Sequence, residues 1–189
     1  MIGLVIVSHS RALADALVGL LRQVTSADLP VAVAAGIGED RREFGTDAVD
    51  SMESIQSVYS EAGVLVLMDL GSAVLSANMA LELLPPEMSG KIRFCGAPLV
   101  EGAIAAAVQI GLNNDLDTVC REANGALIPK LEYLGLESDE SSVPLPVLDE
   151  AAESITLTLT NLHGLHARPA AKFVQTAARF MANVTVSDL

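Results

Sequence analysis

Short β-branched runs alternate with longer helical patterns through residues 1–135 of this chain, and that alternation leaves few folds open. The runs Ile2–Val7, Val31–Ala35 and Gly63–Met68 are nearly all apolar, as strands buried on both faces must be, and Lys91–Cys95, with Lys91 and Arg93, reads as a fourth strand. Between and after them, 11–24, 47–62, 72–84, 100–112 and 116–134 read as helices, the first with Leu13, Leu17, Leu20, Leu21 and Val24 on one side. Pro85-Pro86 ends the third helix by ring clash and a lost donor, and 36–45, with Gly36, Gly38 and Gly45, reads as a loop. The pattern predicts an α/β fold, a mostly parallel sheet doubly wound by right-handed crossovers. Ligand sites in such sheets lie beyond the carboxyl ends of the strands. Ser8-His9-Ser10, Asp69-Leu70-Gly71-Ser72 and Gly96-Ala97-Pro98 each follow a predicted strand, so all three should gather on one edge.

The chain changes character after that block. Residues 136–154 hold Glu137, Asp139, Glu140, Asp149, Glu150 and Glu153 with Pro144 and Pro146, and no Lys or Arg. Charge repulsion and proline predict an extended linker. Beyond it, residues 155–160 alternate with period two, 161–166 read as a loop, 167–180 as a helix, and 184–186 as the start of another strand. Thirty-five residues, 155–189, cannot bury a stable core alone. They predict the first part of an α+β domain whose remainder would follow Leu189.

Composition narrows the function. With 51% apolar residues the chain should be largely folded, and with 3% aromatics and no Trp its core must be aliphatic. The formal charge of −13 argues against nucleic acid and anionic membranes as partners, while permitting a basic protein patch. The apolar N-terminus lacks a basic flank and meets Ser8-His9-Ser10 too soon for a signal peptide or a membrane span. Cys95 and Cys120 form no C-x-x-C pair and fit a reducing compartment, so a cytoplasmic location is expected.

Among the three histidines, two stand at like junctions. His9 lies where a buried strand gives way to a helix. His166 precedes Ala167-Arg168-Pro169-Ala170, a helix start with proline in the first turn. Free N–H groups in such a turn favour an anion, so a phosphate carried on either ring would be stabilised there. Arg168 can add charge-assisted hydrogen bonds to the same oxygens, and Ser10 is an extra donor beside His9. Neutral imidazole is a competent nucleophile near pH 7. One ring nitrogen attacks phosphorus while the other donates to an acceptor that fixes the tautomer, for which Asp69 is the candidate. Asp69 could equally cap the helix predicted to begin at Ser72. His163 reads as a loop residue. The glycines make no phosphate-binding loop, Ser8 and Ser10 lack the G-x-S-x-G context of a hydrolase, and the Cys and His spacing offers no metal site. No metal and no cofactor held by this chain are expected.

Gly164-Leu165-His166-Ala167-Arg168-Pro169-Ala170 resembles the active-site segment of histidine-containing phosphocarrier (HPr) domains of the sugar phosphotransferase system. The resemblance implies phosphorylation of His166 on Nδ1, with Arg168 binding the phosphate. Residues 1–135 resemble the mannose-type IIA domain, implying phosphorylation of His9 on Nε2 with Asp69 as its partner; Gly71 and Ser72, which follow Asp69 in a loop unlike the usual mannose-type one, are expected to stabilise the phosphate or orient the ring. Taken in order, Ile6-Val7-Ser8-His9-Ser10, Met68-Asp69-Leu70-Gly71-Ser72-Ala73 and Ala97-Pro98-Leu99-Val100-Glu101-Gly102-Ala103, followed by the HPr-like segment, resemble the phosphotransferase subunits of phosphoenolpyruvate-dependent dihydroxyacetone kinases. That likeness implies a homodimer that takes phosphate from Enzyme I and HPr and passes it to ADP fixed on the kinase's nucleotide-binding subunit. The rival implications are a mannose-type IIA component of sugar transport and a non-catalytic regulator of the phosphotransferase system.

Overall fold

The computed structural model describes residues 1–25, 28–136, 155–158, 173, 176, 177, 180 and 184. Contacts divide the chain into two units, Met1–Ser138 and Asp139–Leu189, and the sheet and all seven α-helices named here lie in the first. The predicted linker after residue 136, the HPr-like helix, His166 and Arg168 lie outside the described residues, apart from isolated positions.

Four strands, β1 (Gly3–Ser8), β2 (Val31–Ala35), β3 (Val64–Met68) and β4 (Ile92–Cys95), form one sheet in the order β2-β1-β3-β4. Every pairing is parallel, with Leu4 opposite Val31, Gly3 opposite Val64, and Val64 opposite Ile92. The helices are α1 (Arg11–Val24), α2 (Ala48–Val58), α3 (Gly71–Leu83), α4 (Pro86–Ser89), α5 (Leu99–Gly111), α6 (Leu116–Asn124) and α7 (Ile128–Tyr133). Period-two alternation splits the strand side chains between two cores. Leu4, Ile6, Leu65, Leu67 and Cys95 pack with α1, α5 and α6, whereas Val5, Val7, Val64, Val66 and Ile92 pack with α2 and α3. The doubly wound α/β layering predicted from sequence is therefore the observed one.

Strand order decides where a site can form. From β1 the chain moves to β2 on one side, then crosses back to β3 on the other, so the winding reverses between β1 and β3. Crevices open at such switch points because the two following loops leave in opposite directions. His9 follows β1 and Asp69 follows β3.

Three helical readings differ from the structure. The buried stripe of α1 is Ala14, Leu17, Val18 and Leu21, and Leu13, Leu20 and Val24 are exposed. The expected continuous helix 116–134 breaks into α6, a 3-10 turn (Gly125–Leu127) and α7, where Gly125 and Pro129 weaken the α-helical ladder. Pro85-Pro86 ends α3 but also starts α4, since proline fits a first helical turn.

Close approach at the start of β1 gives a stability prediction. A Cβ on Gly3 would lie 2.3 Å from the Val58 carbonyl oxygen at the end of α2. That atom belongs to fixed backbone, so the clash outweighs the entropy that alanine would save in the unfolded chain. Gly3→Ala should cost about 1–3 kcal/mol, read as a lower urea midpoint with an unchanged slope. Both cysteines are free thiols, and burial pushes Cys95 up to about 11, leaving it a protonated core residue at neutral pH.

Candidate active site at the β1–β3 switch point

β1 ends on Ser8, and His9 leaves the sheet just before α1, whose N-cap is Ser10. The Ser10 hydroxyl accepts from the Leu13 N–H at 3.3 Å, so this predicted phosphate donor also supports its own helix. Asp69 follows β3 and is tied to β1 through its own N–H, which donates to the Val7 carbonyl at 3.2 Å. Register thus fixes the distance between His9 and Asp69 before any side chain is placed.

The two residues meet in a closed hydrogen-bond set. Asp69 Oδ2 accepts from the His9 backbone N–H at 2.8 Å and the Ser8 hydroxyl at 2.9 Å. Asp69 Oδ1 takes the His9 ring at Nδ1, 2.8 Å away, and the Leu70 N–H at 2.7 Å. An ionised carboxylate only accepts, so Nδ1 carries the ring proton and Nε2 keeps its lone pair. Nε2 lies 2.5 Å from the Ser72 hydroxyl, which donates to it.

Burial pushes the Asp69 carboxyl up, but the hydrogen bonds from the His9 N–H, the His9 ring and the Ser8 hydroxyl outweigh it. The group ends below its ordinary value and is ionised throughout the neutral range.

Nε2 therefore points at the start of α3. That helix begins at Gly71 with Leu70 at the N-cap position and no side-chain cap, so Asp69 orients the histidine and does not cap this helix. First-turn N–H groups have no intrahelical acceptor and carry the positive end of the helix dipole. Gly71 and Ser72 stand in that turn. The His9 side chain is 20% exposed, enough for an incoming group to reach the ring.

The β2–α2 loop closes the other flank. Gly36 leaves β2 with φ +72, and a Cβ there would lie 2.2 Å from the Arg41 carbonyl oxygen, so the tight turn requires glycine. The loop returns to place the Gly45 N–H on the His9 carbonyl at 3.0 Å, and the Thr46 hydroxyl lies 2.8 Å from that of Ser76 on α3. Gly96, Ala97 and Pro98 follow β4 on the same sheet edge.

Sequence reasoning named His9, Asp69, Gly71 and Ser72, and the structure brings these together. It missed Ser8, set aside for want of a hydrolase motif. The available signal was its position at the last residue of a fully buried strand, where a polar side chain needs a partner. Among the described residues no cluster of His, Cys, Asp and Glu could hold a metal ion, and no helix is long and apolar enough to cross a membrane.

Serine at the open nitrogen yields a second prediction. Ser72→Ala removes a donor from Nε2 and from any group bonded to it. If His9 takes up phosphate as its sequence context predicts, uptake should slow about tenfold with the fold unchanged, measured by label incorporation over time.

Comparisons with known proteins bear on the same residues. The family profile EIIA-man, described as the fructose IIA component of the phosphotransferase system, matches residues 3–120. The profile for the HPr component phosphorylation site matches residues 153–188. The phosphoryl donor subunit DhaM of PEP-dependent dihydroxyacetone kinase from Escherichia coli K12 is 46% identical over 97% of this chain and 40% of its own length. Its Pantoea ananatis counterpart is 43% identical over 98% of this chain, again with 40% of the relative covered. The chain thus spans about 40% of the length of these relatives. A shorter DhaM from Listeria innocua is 34% identical over 65% of this chain and 96% of the relative. The crystal structure of EF1359, described as a protein of unknown function, superposes with a TM-score of 0.59 at 30% identity, covering 66% of this chain and 95% of that one. With a IIA-type match followed by an HPr-type one, nearly the whole chain matched by the first two relatives and nearly the whole of the shorter Listeria one covered, the chain belongs to the DhaM family, whose members are named as phosphoryl donor subunits of PEP-dependent dihydroxyacetone kinase.

Proposed function

We propose that this chain is a phosphoryl relay in which His9 Nε2 takes phosphate from the phosphotransferase system and hands it to ADP on the kinase's nucleotide-binding subunit. The observation that carries the reading is the orientation of one imidazole. Nδ1 is held by Asp69 at 2.8 Å, and Nε2 is turned towards Ser72 and the first turn of α3. In the first step the Nε2 lone pair attacks phosphorus on a donor phosphohistidine. The new N–P bond forms as the donor's N–P bond breaks, and the donor ring keeps the electron pair. In the second step a terminal oxygen of ADP attacks the same phosphorus, giving ATP and returning the lone pair to Nε2.

Asp69 stabilises the imidazole through Nδ1 in both steps, and the Ser72 hydroxyl with the N–H groups of Gly71 and Ser72 meets the phosphoryl oxygens. Ser10, at the start of α1, is a further donor. Phosphate adds about −1.5 to −2 charges at neutral pH, so a helix N-terminus opposite the Asp69 carboxylate offsets the repulsion between them. Covalent attachment holds the group between steps without a metal, and the adenine nucleotide belongs to the partner subunit.

In this reading Enzyme I and HPr are the upstream donors, and the HPr-type segment carries His166 as a further acceptor with Arg168 on its phosphate. The protein works in the cytoplasm, where these partners and phosphoenolpyruvate are found, and as a homodimer. The fructose IIA description of the matching profile favours one second reading, delivery of phosphate to a sugar-transport IIB protein.

Purified chain, Enzyme I, HPr, labelled phosphoenolpyruvate and ADP-loaded kinase subunits with dihydroxyacetone separate the two. Label should pass through the chain into dihydroxyacetone phosphate. Label that stays on the chain until a IIB protein is added would replace the kinase reading with the transport one.

A further inference from the structure

The one fully buried hydroxyl in contact with Asp69 has no role in the relay described so far. Ser8 has no exposed surface, and it stands at the last position of β1, opposite Ala35 on β2. Its Oγ accepts from the Ser10 N–H at 3.2 Å and lies 2.9 Å from Asp69 Oδ2 and 3.3 Å from the Ser10 carbonyl. A hydroxyl has a single proton, and the shorter contact to a charged acceptor claims it.

We propose that Ser8 is a positioning residue for the phosphoryl acceptor: its hydroxyl locks the Asp69 carboxylate so that Oδ1 holds the Nδ1 proton and Nε2 stays bare. The inference rests on the phosphohistidine reading of His9 and adds the residue that fixes its tautomer.

Ser8 acts by limiting rotation of the Asp69 side chain. Each carboxylate oxygen is held by one backbone N–H, from His9 on Oδ2 and from Leu70 on Oδ1. Each also takes one side-chain partner, Ser8 on Oδ2 and His9 Nδ1 on Oδ1. Without the Ser8 hydroxyl, Oδ2 keeps only the His9 N–H, and the carboxylate can pivot about the two backbone donors. Pivoting lengthens the bond to Nδ1 and weakens the preference for the proton there, since the Ser72 hydroxyl at Nε2 can accept as well as donate. A ring protonated on Nε2 has no lone pair for phosphorus. Ser8 is also tied to Ser10, the N-cap of α1, so the group that aligns the carboxylate is anchored to the strand and to the helix that follow each other around His9.

Long-range proton–nitrogen NMR on the His9 ring distinguishes the tautomers directly. The wild-type ring should carry its proton on Nδ1. Ser8→Ala should show a measurable share protonated on Nε2, and kcat for phosphorylation by HPr should drop about tenfold with KM for HPr unchanged, because Ser8 has no exposed surface of its own for a partner to touch. Wild-type tautomer and wild-type kcat in Ser8→Ala would overturn the assignment. If that variant does not fold, the wild-type protein still decides: the Ser8 hydroxyl proton should exchange slowly with solvent, and fast exchange would overturn it. Phosphoramidate, a small phosphoryl donor, keeps the two readings apart. Failure of the wild-type chain to take phosphate from it on His9 strikes the phosphohistidine reading, whereas the tautomer measurement tests Ser8 alone.

Discussion

Replacing His9 by alanine should abolish phosphoryl uptake by the IIA domain while leaving a folded protein. In the proposed relay the reacting atom is Nε2, and among the described residues neither neighbour can substitute for it: the Ser72 hydroxyl is a far weaker nucleophile at neutral pH, and the Asp69 oxygens are already engaged. Label on residues 1–136 after incubation with Enzyme I, HPr and labelled phosphoenolpyruvate should fall to background. The structural cost is modest. His9 Nδ1 donates one charge-assisted hydrogen bond to Asp69, and the backbone donors on that carboxylate remain in the alanine variant. Losing such a bond costs about 1.5–3 kcal/mol, within the reserve of an ordinary domain. A His9→Ala protein that still passes phosphate at the wild-type rate would assign the chemistry elsewhere.

Asp69→Asn carries the second large effect, and it is less conservative than it looks. An amide keeps one acceptor oxygen and puts an NH2 group, with two N–H donors, at the other position; in either orientation that group faces a backbone N–H, from His9 or from Leu70. Either orientation sets donor against donor. With the amide nitrogen towards the ring, Nδ1 must become the acceptor, so the proton moves to Nε2 and the nucleophile is lost. The rate of phosphorylation should fall by about two to four orders of magnitude. Stability should fall as well, by about 1–3 kcal/mol.

The Asp69 carboxyl also has a pH signature. Its folded pKa lies below the ordinary aspartate value of about 3.9. Its contribution to stability is therefore fully present above that value and is lost as pH falls through the lower folded pKa. Urea midpoints of the wild type should decline across that acidic window more steeply than those of Asp69→Asn. Parallel curves would mean that the carboxylate is not held as described.

How much of this was legible in the sequence follows from the range of each interaction. Strands β1 to β4 could be read because runs such as Val64–Met68 are buried on both faces and carry no competing pattern. His9 and Asp69 could be paired from residues alone because strand ends of a parallel sheet share one edge, whatever the loops do. Asp69 was ambiguous between capping a helix and orienting the ring. The choice is made by Ser8 and His9, about sixty residues away, which local reading cannot weigh.

The face of α1 was misread for a related reason. Leu13, Leu20 and Val24 are more apolar than Ala14, yet Ala14 is buried with Leu17, Val18 and Leu21, because docking on the sheet buries one whole stripe of the helix and not its most apolar single residues. Breaks at Gly125 and Pro129 carry a visible signal, and the apolar content of 116–134 masked it. Ser8 was overlooked because its partner lies 61 residues on, and no spacing rule reaches that far.

The most direct test of the account is the identity of the phosphorylated atom. Phosphorylated chain, prepared with Enzyme I, HPr and phosphoenolpyruvate, can be examined by phosphorus and nitrogen NMR with His9 labelled on its ring nitrogens. The account predicts an N–P bond at Nε2 of His9, with Nδ1 still protonated and bonded to Asp69. Phosphate on Nδ1 of His9, or no phosphate on His9 at all, would contradict it.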